Sequence, residues 1–106
     1  MEKQLLAFCS APDTDAAERI GEALIGRGAA ACVKILSPFR SIYRWDGAIE
    51  RATEHPMLIK TTATRLDLAR RIVEQTHPYD TPEFFAVPIC GGAPAFLQWI
   101  DEQCTG

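Results

Sequence analysis

Ser41-Ile42-Tyr43-Arg44-Trp45-Asp46-Gly47-Ala48-Ile49-Glu50 is the stretch on which the fold of this 106-residue chain turns. A type I′ hairpin needs positive φ at both central residues, and Asp-Gly supplies it at low cost, so Asp46-Gly47 reverses the chain between two extended segments. A reversal this tight makes those segments antiparallel neighbours, because a parallel crossover takes roughly a dozen residues or more. Upstream, Ala30 to Leu36 is apolar and holds the β-branched Val33 and Ile35, and Pro38 interrupts it before Ser41 to Trp45 resumes an extended pattern. One long strand with a bend at Pro38 is predicted. Downstream, the return strand runs from Ile49 through the polar stretch Glu50 to Glu54 into Met57–Thr62, with Pro56 demanding an edge position or a bulge. A ribbon with so polar a middle is expected to project beyond the sheet as an arm.

Outward from the arm, the remaining segments sort by period. Leu5 to Cys9 is a short apolar run closed by Ser10-Ala11-Pro12-Asp13, the pattern of a strand buried on both faces. From Asp13 to Arg27 apolar Ala16, Ile20, Ala23 and Leu24 recur at helical spacing, Asp15 with Glu18 offers a capping-box start, and Gly28 ends the helix. Thr64 with Asp67 marks a second helix start, and Leu66, Ala69, Ile72 and Val73 trace its face up to Thr76, where Pro78 disfavours α geometry at His77. Phe84 to Cys90 reads as a last buried strand. Gly91-Gly92-Ala93-Pro94 then opens a final helix with the face Phe96, Leu97, Ile100 and Cys104. The order β-α-β-β-α-β is the ferredoxin-like α+β sandwich, with a long hairpin arm and an extra C-terminal helix, in a single domain over residues 1–106. A dinucleotide-binding fold is excluded: no GxGxxG follows the first strand and the central connection is a hairpin.

Composition narrows the function classes. A net charge of −3 with no basic tract argues against a nucleic-acid partner. The start, Met1-Glu2-Lys3-Gln4, leads into only five consecutive apolar residues, too few for a signal peptide or a membrane span, so a cytoplasmic location and no membrane partner are expected. Cysteines 9, 32, 90 and 104 form no CxxC pair and are expected as free thiols in a reducing compartment.

Six fragments in this order, Cys9-Ser10-Ala11-Pro12-Asp13, Ala30-Ala31-Cys32-Val33, Ser41 to Gly47, Ile59-Lys60-Thr61-Thr62, His77 to Glu83 and Phe96 to Ile100, make a chain that resembles the CutA family over nearly its whole length. The resemblance implies a ferredoxin-like subunit in a tight homotrimer, similar in architecture to PII signalling proteins, and a role in tolerating divalent metals such as copper. Tyr43 and Trp45 supply an independent reason for assembly: two aromatics on a projecting arm are anchors of the kind that interfaces bury.

The sharpest candidate site joins Cys9, His77 and Glu83. First and last strands of a ferredoxin-like sheet are antiparallel neighbours, so Cys9 lies beside Glu83 and Phe84, and His77 enters the same end through a proline-rich loop. Thiolate with imidazole suits copper, or another divalent metal such as zinc, better than magnesium or calcium, and the resemblance implies copper ligands at Cys9 and His77. Thr76 stands where some members of the family carry a second histidine, leaving Glu83, Tyr79 or water to complete the set. The plain alternative is structural: Cys9 as a small buried hydrophobe, His77 as a loop hydrogen-bonder. Cys32, Cys90 and Cys104 read as packing residues, His55 as a polar residue of the arm, and Arg65, Arg70 and Arg71 as a solvated helix face. No enzyme mechanism is expected, and no organic cofactor: there is no GxSxG turn, and the loop after the first strand offers Pro12 and Asp13 where a phosphate cradle needs amides and arginine. A trimeric scaffold binding a small-molecule or protein partner in inter-subunit clefts stays open beside the metal-binding reading, and so does a weak hydrolase working in the cleft.

Overall fold

A computed structural model describes residues 3–105; Met1 and Glu2, which opened the leader-peptide argument, lie outside them, as does Gly106. The chain runs β1 (Gln4–Ala11), α1 (Thr14–Gly26), β2 (Cys32–Ile35), β3 (Phe39–Trp45), β4 (Ala48–Thr62), α2 (Leu66–Thr76), β5 (Phe84–Pro88) and α3 (Pro94–Gln103). The sheet is antiparallel in the order β2-β4-β1-β5, with β3 pairing the outer half of β4. That is the expected α+β sandwich, and the β3–β4 hairpin stretches the molecule to 45 × 25 × 23 Å.

Asp46 and Gly47 both take positive φ, 50° and 79°, as the hairpin turn requires. The single bent strand predicted upstream is two strands. Ile35 pairs with Met57 and Phe39 with Glu54, so the β2–β3 side spends one residue more than β4 across the gap, which makes a bulge. Pro38 lies in that bulge and Pro56 lies opposite it, where the proline's missing N–H costs no β2–β3 ladder bond; Leu36 N–H still donates to the Pro56 carbonyl at 2.9 Å.

Helix boundaries follow the apolar period, but the caps differ from expectation. Asp13, not Asp15, caps α1 by accepting from Ala16 N–H at 2.8 Å, because its extended backbone (φ −151°) lets the carboxylate reach back over the first turn. The cap position of α2 falls on Arg65 rather than Thr64, and no side chain caps it there. Gly28, at φ 67°, takes the left-handed step after α1, and a Cβ there would lie 1.6 Å from the Thr105 carbonyl oxygen, so the C-terminus packs on bare backbone.

The core lies between one sheet face and two helices: Ala7, Cys9, Ala11, Met57 and Ile59 from the sheet against Ala16, Ala17, Ile20, Leu24, Ala69, Ile72 and Val73. Two further expectations are corrected. The last strand stops at Pro88 rather than Cys90 and is an open edge, with Phe85 and Val87 exposed. Of the predicted face of α3, Ile100 and Cys104 are buried, whereas Phe96 is exposed and stacks on Trp99.

Candidate functional site

The end of β1 gathers the residues the sequence singled out. Cys9 pairs in register with Phe84 on one side and Met57 on the other, which places it at the mouth of β5 next to Glu83. Its side chain points into the core and is fully buried. The thiol reaches only the Ser10 carbonyl, at 3.8 Å. Burial pushes its pKa up to about 12, and the negative charges of Glu83 and Glu54 push the same way.

His77 follows the last turn of α2 and is buried as well. Tyr79 N–H donates to its Nδ1 at 3.1 Å, so the ring proton sits on Nε2, which donates to the Ser10 carbonyl at 2.7 Å. The imidazole thus ties the α2–β5 loop to the end of β1, with both nitrogens in use, and the Tyr79 ring leans on it at 4.8 Å. Glu83 is exposed at the rim.

Two arm residues join this end. Burial, with the charge of Glu54 next, raises the Tyr79 pKa, and Tyr43 and Asp13 add to it. Glu54 is half-buried there, whereas the sequence placed it in a solvated arm. Its nearness follows from the β1–β4 register, in which Ala11 pairs with His55 and Glu54 comes next along β4.

Only one sheet face carries α1 and α2. Side chains alternate along a strand, so Leu6 and Phe8 of β1, Leu58 of β4 and Phe85 and Val87 of β5 share the opposite face. Phe8 stacks on Phe85 at 4.8 Å, yet Phe85 remains 50% exposed and Val87 40%. The arm's Ile42, Trp45 and Ile49 are exposed as well.

A sequence model for the CutA1 divalent ion tolerance protein matches residues 5–103. The chain belongs to the CutA1 family. It is 42% identical over 95 residues to the divalent-cation tolerance protein CutA of Archaeoglobus fulgidus, covering 90% of this chain and 92% of that one. It is 37% identical over 99 residues to the CutA of Pectobacterium atrosepticum, covering 93% and 90%. The crystal structure of CutA1 from the psychrotrophic bacterium Shewanella sp. SIB1 superposes with a TM-score of 0.93 at 44% identity, over 97% of this chain and 96% of that one.

For a CutA1 chain, the fit of Cys9, His77 and Glu83 to a copper ion can be tested on their chemistry. A copper ligand needs a thiolate and an imidazole lone pair. Cys9 is held as the thiol, and the one lone pair of His77 is occupied by Tyr79 N–H. Among the described residues no three His, Cys, Asp or Glu side chains come together as a metal-holding group. In this arrangement Cys9 and His77 do not fit a metal ion; they serve as packing and as a loop tie. Arg70 and Arg71 pair with Asp67 and Glu74 on the exposed face of α2, as a solvated helix face would.

Proposed function

We propose that this chain serves divalent-cation tolerance as a homotrimer, without turning over a substrate, in a reducing cytoplasmic compartment, and that copper or another divalent ion is what the cell tolerates through it. The observation that carries the reading is the apolar sheet face away from α1 and α2, where Leu6, Phe8 and Leu58 are half-buried and Phe85 and Val87 exposed, together with the exposed aromatics of the arm. A strand with two apolar faces is stable only with cover on both, and α1 and α2 cover one. Sister chains supply the other. The non-enzymatic part rests on Cys9 and His77 at the β1 end, the first held as the thiol by burial and the second with both ring nitrogens hydrogen-bonded. The compartment rests on four cysteines that are all free thiols.

Sedimentation of the purified chain tests the assembly: a species of three chains persisting at low micromolar concentration supports it, and a lone 11.7 kDa subunit removes it. Titration with Cu(I) and Cu(II) tests the metal side. Affinity unchanged in Cys9→Ser and His77→Ala is the expected result; a tenfold loss in either would return the ion to that end of β1.

A further inference from the structure

The loop between α2 and β5 hangs on one side chain. From Pro78 to Pro82 it makes a single hydrogen bond among the described residues, Tyr79 N–H to His77 Nδ1 at 3.1 Å. Its two prolines bring no N–H of their own, and Pro78, Tyr79, Asp80 and Thr81 are exposed. On its other side the buried ring donates from Nε2 to the Ser10 carbonyl at 2.7 Å. The loop is thus fastened to the end of β1 through one imidazole. Release of that ring leaves α2 intact, because the His77 backbone N–H bonds the Val73 carbonyl whatever the side chain does.

The bond from Tyr79 requires the neutral ring. Nδ1 accepts only while it keeps its lone pair, and a second proton would set an N–H of the ring against the N–H of Tyr79. An imidazole in water takes that proton near pH ~6.5, so the open loop welcomes in mild acid what the closed loop refuses. The charged groups at this end favour release. Glu54 of β4 and Asp13 ahead of α1 act on Tyr79, and Glu83 at the start of β5 acts on Cys9. These carboxylates attract an imidazolium in either position, but only the released ring is free to turn both of its N–H groups toward them or toward water. Cys9, Tyr43 and Tyr79 carry no charge in acid, and His55, paired with Ala11, is the other imidazole here. We infer that His77 is a proton-operated latch, neutral and closed above about pH 7, charged and released below about pH 5.5, which frees the Pro78–Pro82 loop from the end of β1 while α2 and the sheet stay folded.

Amide exchange of the full chain, followed by nuclear magnetic resonance and divided by the intrinsic rate at each pH, tests the latch. Between pH 7 and pH 5 the Tyr79 amide should lose about tenfold of its protection, the size set by an ordinary imidazole titrating in the open state, while the amides of α2 and β1 change less than twofold. His77→Gln carries no titrating group, so its Tyr79 amide should respond to neither pH, whether or not the glutamine holds the loop. His55→Gln should respond as wild type does. The ring nitrogens of the unaltered chain give a second reading: the His77 Nδ1 signal should move to its protonated position over the same pH range in which Tyr79 loses protection. Tyr79 protection that stays flat from pH 7 to pH 5, or a pH response that persists in His77→Gln, overturns the inference. So does a response abolished by His55→Gln, or a His77 ring that gains its proton with the Tyr79 amide still protected.

Discussion

His77 carries two hydrogen bonds on one ring, a buried one to the Ser10 carbonyl and a part-buried one from Tyr79 N–H, and both partners are backbone groups. Replacing it with alanine strands the Ser10 carbonyl and the Tyr79 N–H. An unsatisfied buried group costs about 1–3 kcal/mol, so His77→Ala should lose about 2–4 kcal/mol in urea unfolding. Cys9 has its own signature. Its folded pKa of about 12 lies above the 9.0 of the free thiol, so the folded state holds the proton more tightly. Its contribution is complete below pH 9 and is lost as pH rises toward 12. Unfolding of wild type and Cys9→Ala compared at pH 8 and pH 10.5 should show the wild-type advantage shrink by about 2 kcal/mol. Constant advantage would mean that the thiol is less enclosed than its position implies. The convergence of Cys9, His77 and Glu83 on one end of β1 was legible in the sequence, because strand order sets Cys9 beside Glu83 and the proline-rich loop after the second helix brings in His77. Their commitments were not: the Ser10 carbonyl takes both the imidazole and the thiol, and a backbone acceptor leaves no mark in the residue types.

Two glycines set the elements apart. Gly47 has φ 79° and open space where a Cβ would go, while Gly28 has φ 67° and a carbonyl oxygen in that space. Gly47→Ala therefore carries the left-handed penalty alone, about 1–2 kcal/mol, and the hairpin survives. Gly28→Ala adds a clash that backbone must relieve, so it should cost more and loosen the C-terminal residues, seen as faster amide exchange at Cys104 and Thr105 with little change on the arm. Asp46-Gly47 was legible because a turn type demands particular residues. The break between β2 and β3 was less so: Pro38 and Pro56 each signalled a local disturbance, but the bulge is a property of the register between them. The caps went astray in the same way, since Asp13 and Asp15 both precede the apolar stripe and only the extended backbone at Asp13 selects it.

At the scale of the whole molecule, Leu5 to Cys9 reads as a strand covered on both faces, yet the folded chain covers one and leaves Leu6 and Phe8 half-open against Phe85. The sequence pattern asks for a second layer, and on the trimer reading proposed above another chain supplies it. The two tryptophans, Trp45 on the arm and Trp99 on α3, make that layer observable. With Trp99→Phe, emission comes from Trp45 alone, whose ring is 58% exposed in the single subunit. Burial against a sister chain removes water from the indole, so the emission should be blue-shifted at tens of micromolar and move to the red on dilution through the dissociation range. Because assembly binds only folded chains, the melting temperature should rise with protein concentration over the same range. Red emission at every concentration with an invariant melting temperature would show the arm standing free in water, and the apolar sheet face would then need a different cover.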